Sequence, residues 1–283
     1  MNAEEWKLMD LVRWTTEFFK KHELASPRLD AELLLAHVLE LSRMGLYLAF
    51  DQPVAVADRT RYRELVRRRA KERWPVAYLT GVREFWSMEF RVTPDVLIPR
   101  AETETLVRVA LDLKPRRILE LGVGSGCVSA ALARELPQAE IVAVDCSPAA
   151  LEVARENLAR LGYGERVALI EASSLVGIEG PFDLVVSNPP YVQAGDLDGL
   201  APELRHEPRI ALDGGADGLD ALRRLCLEAP ALLERPGALA LEIGLGQAEA
   251  VEALLRARGA GSVETFSDLA GIQRVILGRF LET

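Results

Sequence analysis

Apolar positions in the first 75 residues recur at close to 3.6-residue spacing. Over residues 5–21 they are Trp6, Met9, Leu11, Val12, Trp14 and Phe18, which predicts an amphipathic helix. Ser26-Pro27 opens a second, with serine as N-cap and proline at the first helical position, and residues 30–41 carry a dense leucine and alanine face. Residues 58–72 predict another, its charge mostly arginine. Helices this short bury their stripes only against one another, so residues 1–75 are expected to form a small α-helical bundle.

The period then changes. Tyr78-Leu79-Thr80-Gly81 reads as a break, and residues 84–92 partly alternate apolar and polar side chains, a strand or hairpin signature. Pro94 and Pro99 close the stretch, so 76–105 is expected to be a β-hairpin linker. From Pro115 onward strand and helix signals alternate. Strands are predicted at 117–121, 140–145, 167–171, 183–187, 238–243, 262–266 and 273–277, with helices at 128–135, 147–161, 219–233 and 247–258. Repeated strand-helix units imply an α/β domain over 106–283, its mostly parallel seven-stranded sheet covered by helices on both faces.

Composition narrows the classes. The chain has 283 residues, 49% of them apolar, enough for a proper core and two domains. Its net charge of −9 argues against a protein held on nucleic acid by charge alone. The acidity is uneven: up to Thr80 there are 14 Lys+Arg against 12 Asp+Glu, and beyond it 20 against 31. The most basic stretch, residues 59–73, reads as a solvated helix face. Cys127, Cys146 and Cys226 are widely spaced and read as small buried thiols of a reducing compartment. His22, His37 and His206 are equally scattered, so neither a metal site nor a Ser-His-Asp hydrolase is expected. The first ten residues, MNAEEWKLMD, hold no signal-peptide core, and no run is long enough to span a membrane, which predicts a cytoplasmic protein.

Three short stretches carry chemistry. Glu120-Leu121-Gly122-Val123-Gly124-Ser125-Gly126 follows the first strand of the sheet and leads into a helix. Its glycines let a ligand approach the backbone, and helix N–H groups point at it. The G-x-G-x-G spacing differs from the G-x-G-x-x-G of dinucleotide folds; with the acid at Glu120 it suits an adenosyl ligand without a pyrophosphate. A plain tight turn would also satisfy it. Asp145 closes the second strand, where a carboxylate accepts from ribose hydroxyls; capping the next helix is its other role, although Ser147-Pro148 is the better cap.

The third stretch is Asn188-Pro189-Pro190-Tyr191, at the end of the strand 183–187. Proline has no N–H to continue a ladder, so the stretch ends the strand. It also offers a carboxamide, a backbone carbonyl held by two rigid prolines, and a flat ring. That array suits a planar –NH2 on an sp2 carbon: the Asn188 oxygen and a main-chain carbonyl accept its two protons. Held in line with an electrophilic methyl, the nitrogen lone pair turns outward, and the acceptors stabilise the positive charge that grows on it. No strong base is required, and none is evident.

Residues 120–126 with Asp145 resemble the class I S-adenosylmethionine-dependent methyltransferases, and Asn188-Pro-Pro-Tyr191 resembles their amino-group-methylating branch. PVAYLTGVREFWSMEFRVTPDVLIPRAETE (75–104), HEPRIALDGGADGLD (206–220) and DLAGIQRVILGR (268–279) are similar to the protein-(glutamine-N5) methyltransferases of peptide chain release factors, as is SPRLDAELLLAHVL (26–39) to their helical domain. The resemblance spans nearly the whole chain. It implies a Rossmann-like methyltransferase domain, S-adenosyl-L-methionine as cofactor, and class I release factors as partners, methylated on the glutamine of their Gly-Gly-Gln motif. It implies that Asn188 and the Pro189 carbonyl hold the glutamine amide while Pro190 and Tyr191 shape the pocket. Glu120, Gly122, Val123, Gly124, Ser125, Gly126, Asp145 and Asn188 would bind the cofactor. Arg100, Glu102 and Glu104 would border the substrate pocket, and the helical domain would recognise the substrate.

The chain departs from that family in three places. Ala101 stands where the family usually has proline, Val123 replaces a common threonine, and Ala172-Ser173-Ser174 replaces the Gly-Asp that follows the third strand, which removes the usual acidic contact near adenine. Two other targets share the chemistry. One is a glutamine of a ribosomal protein; the other is the N6 amine of adenine in DNA or RNA, which would require a basic, base-flipping surface. The acidic catalytic half and the near-neutral helical half argue against direct nucleic-acid binding. For lack of an assembly motif, a monomer is expected.

Overall fold

The computed structural model describes residues 6–281. They form two compact units, one running up to Val82 with the added segment 201–206, the other comprising 83–200 and 207 onward. The boundary thus falls inside the first strand of the hairpin and not at residue 75.

The smaller unit is helical: α1 (Leu8–Lys21), α2 (Pro27–Leu39), α3 (Arg43–Leu48), α4 (Val56–Lys71) and α5 (Val76–Thr80). Its core is built from Phe19, Leu34, Leu35, Leu46, Tyr62 and Val66, all at most 4% exposed. Glu5, expected to open the first helix, lies outside the described residues. Ser26 does stand at the N-cap of α2 with Pro27 behind it, but its side chain makes no capping hydrogen bond. The expected break at Tyr78 is a correction: residues 76–80 are helical because Leu79 is buried in this core, and the chain breaks at Gly81, in the left-handed region. Helix α3 carried no readable period. The basic stretch is only partly a solvated face, since Arg69 is buried and donates from Nε to Asp30 Oδ2 and from Nη1 to Glu203 Oε1, each at 2.8 Å. The 201–206 segment is held by that pair and by His206, whose ring stacks on Trp74 at 4.3 Å between centroids.

The hairpin, β1 (Val82–Phe85) and β2 (Met88–Arg91), belongs to the larger unit from Arg83 onward. Trp86 and Ser87 both have positive φ, as a two-residue hairpin turn demands, although neither is the glycine or asparagine that usually signals it. Helix α6 (Glu104–Asp112) follows, then β3 (Arg117–Leu121), α7 (Cys127–Glu135), β4 (Glu140–Asp145), α8 (Pro148–Arg160), β5 (Val167–Glu171), β6 (Phe182–Ser187), α9 (Asp220–Glu228), β7 (Leu233–Glu242), α10 (Ala248–Ala257), β8 (Ser262–Ser267) and β9 (Gln273–Phe280). Three elements differ from expectation, the first being α6, where no helix was expected; its Leu106, Val107, Val109 and Ala110 are buried in the core. Pro230 ends α9 in a 3₁₀ turn over Ala229–Leu232, and β7 starts at Leu233, ahead of Pro236-Gly237, which the strand carries as an irregularity on its exposed stretch.

The seven strands form one sheet in the order β5-β4-β3-β6-β7-β9-β8, in which β9 alone runs antiparallel. Its central strands are buried on both faces and therefore read as continuous apolar runs. Ile118, Leu184 and Val186 pack against α6, α7 and α8, while Leu119, Val185 and Leu239 pack on the opposite side with α9 and α10. From β3 the chain moves outward to β4 and β5, then returns to place β6 on the other side of β3. That reversal makes the carboxyl ends of β3 and β6 the switch point of the sheet, where such folds bind their ligands.

Candidate active site

Glycines 122, 124 and 126 all have positive φ, +81°, +52° and +80°, so each alternate position of the loop after β3 needs a residue without a Cβ. The loop is pinned to the neighbouring strand: Gly122 and Val123 donate to the Val144 carbonyl at 2.8 and 3.1 Å, and Val123 buries its side chain in the core. Gly126 begins α7 and packs against α8, where an added Cβ would sit 3.5 Å from Ala154 Cα. Asp145 closes the cradle. Its Oδ2 accepts from Gly124 N at 2.9 Å and its Oδ1 from Ser147 N at 3.0 Å, while Ser147 Oγ caps α8 by accepting from Ala150 N at 3.2 Å.

Glu120 is 3% exposed and accepts a hydrogen bond from the Ser129 hydroxyl. Burial is the main cause that raises its carboxyl to about 8, with the nearby Asp145 charge adding to the shift and Ser129 opposing it.

Across the switch point, Ser187 pairs in register with Leu121 and donates from Oγ to the Leu121 carbonyl at 2.7 Å. Asn188 therefore emerges beside Gly122. Its Nδ2 donates to Thr103 Oγ1 at 3.2 Å, while Oδ1, the acceptor of the carboxamide, has no hydrogen-bond partner among the described residues. The segment beyond is held by its backbone. Gln247 Nε2 donates to the Tyr191 and Gly218 carbonyls, each at 3.1 Å, and Gly218 approaches Tyr191 so closely that a Cβ would come within 2.4 Å of the Tyr191 oxygen. Tyr191 itself points its hydroxyl to Glu242 Oε1 at 3.4 Å.

These elements enclose one cavity of about 680 Å³, within the roughly 300–1,000 Å³ of small-molecule sites. Glu120, residues 122–125, Asp145 and Asn188-Pro189-Pro190 line it, as does Arg100. Gly126 and Tyr191 are not part of its wall; they support the loop and the Asn-Pro-Pro segment. Glu102 is exposed, and Glu104 accepts from Trp86 N at 3.1 Å, holding the hairpin turn. Arg100 reaches the wall because Glu207, itself buried, accepts from its Nη2 at 2.6 Å and from Ile98 N at 3.1 Å. Cys146 is exposed on the wall beside Asp145, contrary to the expectation of a buried thiol. In place of an acid after β5, the wall carries Ala172 and Ser173 with Asp220 and Arg224 of α9.

Sequence reasoning missed Thr103, Asn157 and Glu242. The Asn157 side chain, wholly buried on α8, accepts from Arg91 N at 2.7 Å and donates to the Arg91 and Ser125 carbonyls at 2.9 Å, tying the hairpin to the glycine loop. Only an amide inside an otherwise apolar helix face marked it. Among the described residues no helix is long and apolar enough to cross a membrane, and no cluster of three His, Cys, Asp or Glu is arranged to hold a metal.

A family profile described as the PrmC N-terminal domain matches residues 10–81, and one described as the methyltransferase small domain matches residues 101–216. The chain is 44% identical over 280 residues to a release factor glutamine methyltransferase of Geobacter sulfurreducens, covering 98% of both chains. It is 40% identical over 287 residues to that of Rhodopirellula baltica, covering 97% of both. Among solved structures it is similar in fold to the hMettl16 catalytic domain in complex with the MAT2A 3'UTR hairpin 6, with a TM-score of 0.59 at 12% identity, covering 82% of this chain and 86% of that one.

Proposed function

Because the chain belongs to the release factor glutamine methyltransferases, we propose that it transfers a methyl group from S-adenosyl-L-methionine to the side-chain amide nitrogen (N5) of the glutamine in the Gly-Gly-Gln motif of peptide chain release factors. The observation that carries this proposal is the Asn188 carboxamide: its Nδ2 is engaged by Thr103, and its acceptor is free beside a cavity that runs from Asp145 to Pro190.

The residues present fit the cofactor. A glycine cradle closed by Asp145 offers backbone approach and an acceptor for a ribose, and the buried Glu120 on the wall offers a counter-charge for a cationic amino-acid moiety. Bound there, S-adenosylmethionine supplies an electrophilic methyl on a positively charged sulfur. Asn188 Oδ1 and the Pro189 carbonyl accept the two N–H groups of the glutamine amide. They hold its plane, so that the lone pair faces the methyl, and they stabilise the charge that develops on nitrogen. Pro189 and Pro190 keep that carbonyl from turning away. The methylated nitrogen is acidic and loses its extra proton to solvent without a dedicated base. We assign substrate recognition to the helical unit and bordering of the substrate pocket to Arg100.

Incubation with radiolabelled S-adenosylmethionine and a release factor, a ribosomal protein mixture or DNA tests the assignment. Label is expected on the Gly-Gly-Gln glutamine of the factor. Label in ribosomal protein or nucleic acid, with none in the factor, would overturn it.

A further inference from the structure

Two leucines stand out from the surface of the larger unit: Leu269 is 94% exposed and Leu245 is 81% exposed. Single exposed apolar side chains are ordinary, but these two lie at one edge of the sheet. Strand β7 runs parallel to β6 and pairs Leu241 with Ser187, so it ends beside Asn188, and Leu245 sits in the turn that follows it. Strands β8 and β9 are antiparallel, and the turn between them, which carries Leu269, comes out at the same edge. Ile243 N donates to the Arg274 carbonyl at 2.8 Å and joins the bases of the two turns.

Both turns are closed by side chains, so their leucines are held outward. Asp268 Oδ1 accepts from Ala270 N at 2.9 Å and from Ile272 N at 3.0 Å, and its Oδ2 accepts from Arg274 Nε at 2.9 Å. Asp268 N donates in turn to the Ile272 carbonyl at 2.8 Å, which leaves Leu269 at the tip. Gly244 N donates to Gln247 Oε1 at 2.8 Å across the Leu245 turn. That turn abuts the site: a Cβ added at Gly244 would come within 3.1 Å of Tyr191 Cδ2.

We propose that Leu245 and Leu269 form a docking surface for the folded body of the release factor, beside the point where its glutamine enters the cavity. The identity of that partner rests on the function proposed above. The cofactor cradle takes up the ends of β3 and β4, and the acceptor amide meets Asn188 at the end of β6. What remains along the edge is the ends of β7, β9 and β8, where the two leucines stand. A specific interface covers about 800 Å² of each partner, far more than one glutamine side chain, so a protein that delivers the glutamine buries the neighbouring turns as well. Leucines already fixed at turn tips lose little freedom when covered, so their burial adds to affinity.

Steady-state methylation of a purified release factor by the wild type and by the double variant Leu245→Ser, Leu269→Ser tests the surface. Both side chains are exposed, so the variant is expected to keep the circular dichroism and thermal midpoint of the wild type. KM for the factor should rise about tenfold or more, with kcat and affinity for S-adenosylmethionine kept within about twofold. Methionine at both positions keeps the apolar surface and should keep the wild-type KM. If the double serine variant does not fold, the two single variants carry the test. An unchanged KM, a loss of cofactor affinity, or the same rise in the methionine variant would overturn the proposal. So would sedimentation showing a wild-type dimer that the serine variant dissolves with KM unchanged, since the leucines would then face a second copy. A wild type that methylates no release factor would sink the substrate assignment itself, whereas methylation with an unaltered KM in the serine variant sinks the docking surface alone.

Discussion

Asn188 acts through one carboxamide whose two ends do different work. The nitrogen end is committed to Thr103, and the oxygen is the end we propose to meet the substrate. Asn188→Ala removes both orientation and charge stabilisation, and kcat should fall by about 10²–10³-fold, the scale set by losing one preorganised polar contact. Cofactor affinity should stay within about tenfold, or roughly 1.4 kcal/mol. Equal loss of cofactor binding by calorimetry would show that Asn188 serves the cofactor more than the substrate. Glu120 makes the opposite claim. Its raised carboxyl, near 8, is mostly protonated at pH 7, whereas a cationic ligand favours the carboxylate. Binding of S-adenosylmethionine at pH 7 should therefore release a proton, and the dissociation constant should fall as pH rises toward 8. Calorimetry in two buffers of different ionisation heat measures the release; its persistence in Glu120→Gln would assign the proton elsewhere.

At the scale of elements, the site depends on a hairpin and a loop that share one residue. Asn157 satisfies Arg91 N and the Ser125 carbonyl at once, so Asn157→Leu leaves buried backbone groups unpaired at both. It should destabilise the protein by about 2–4 kcal/mol in urea titrations and weaken cofactor binding more than Asn188→Ala does. Unchanged affinity in a folded Asn157→Leu would show that the glycine loop holds its shape unaided. The same elements mark how far the sequence could be read. The strand-glycine-helix unit at 117–135 and the strand that ends just before Asn188 were legible because local rules of period, glycine and proline agree there with the fold. Helix α3 was not, since its six residues are too short to show a period. Tyr78-Leu79-Thr80 read as a break because turn residues follow it, whereas burial of Leu79 decides its conformation. Asn157, Thr103 and Glu242 stayed hidden for a different reason: each acts through a contact with a residue distant in sequence, which no local pattern records.

At the scale of the whole molecule, the site is held at a cost in stability. Glu120 and Glu242 are buried carboxyls raised from an ordinary 4.5 to about 8 and about 7. A group whose pKa is higher folded than unfolded binds more protons in the native state, so stability falls as pH rises from the unfolded value through the folded one. For Glu242 that window runs from about pH 4.5 to 7. Glutamine at 242 does not titrate, and whatever packing or hydrogen bonding it loses is the same at every pH. The difference in unfolding free energy between Glu242→Gln and the wild type should therefore move in the variant's favour from pH 5 to pH 8, by on the order of 2–3 kcal/mol, read from urea midpoints at the two values. A difference that stays constant would mean that Glu242 is not raised by burial.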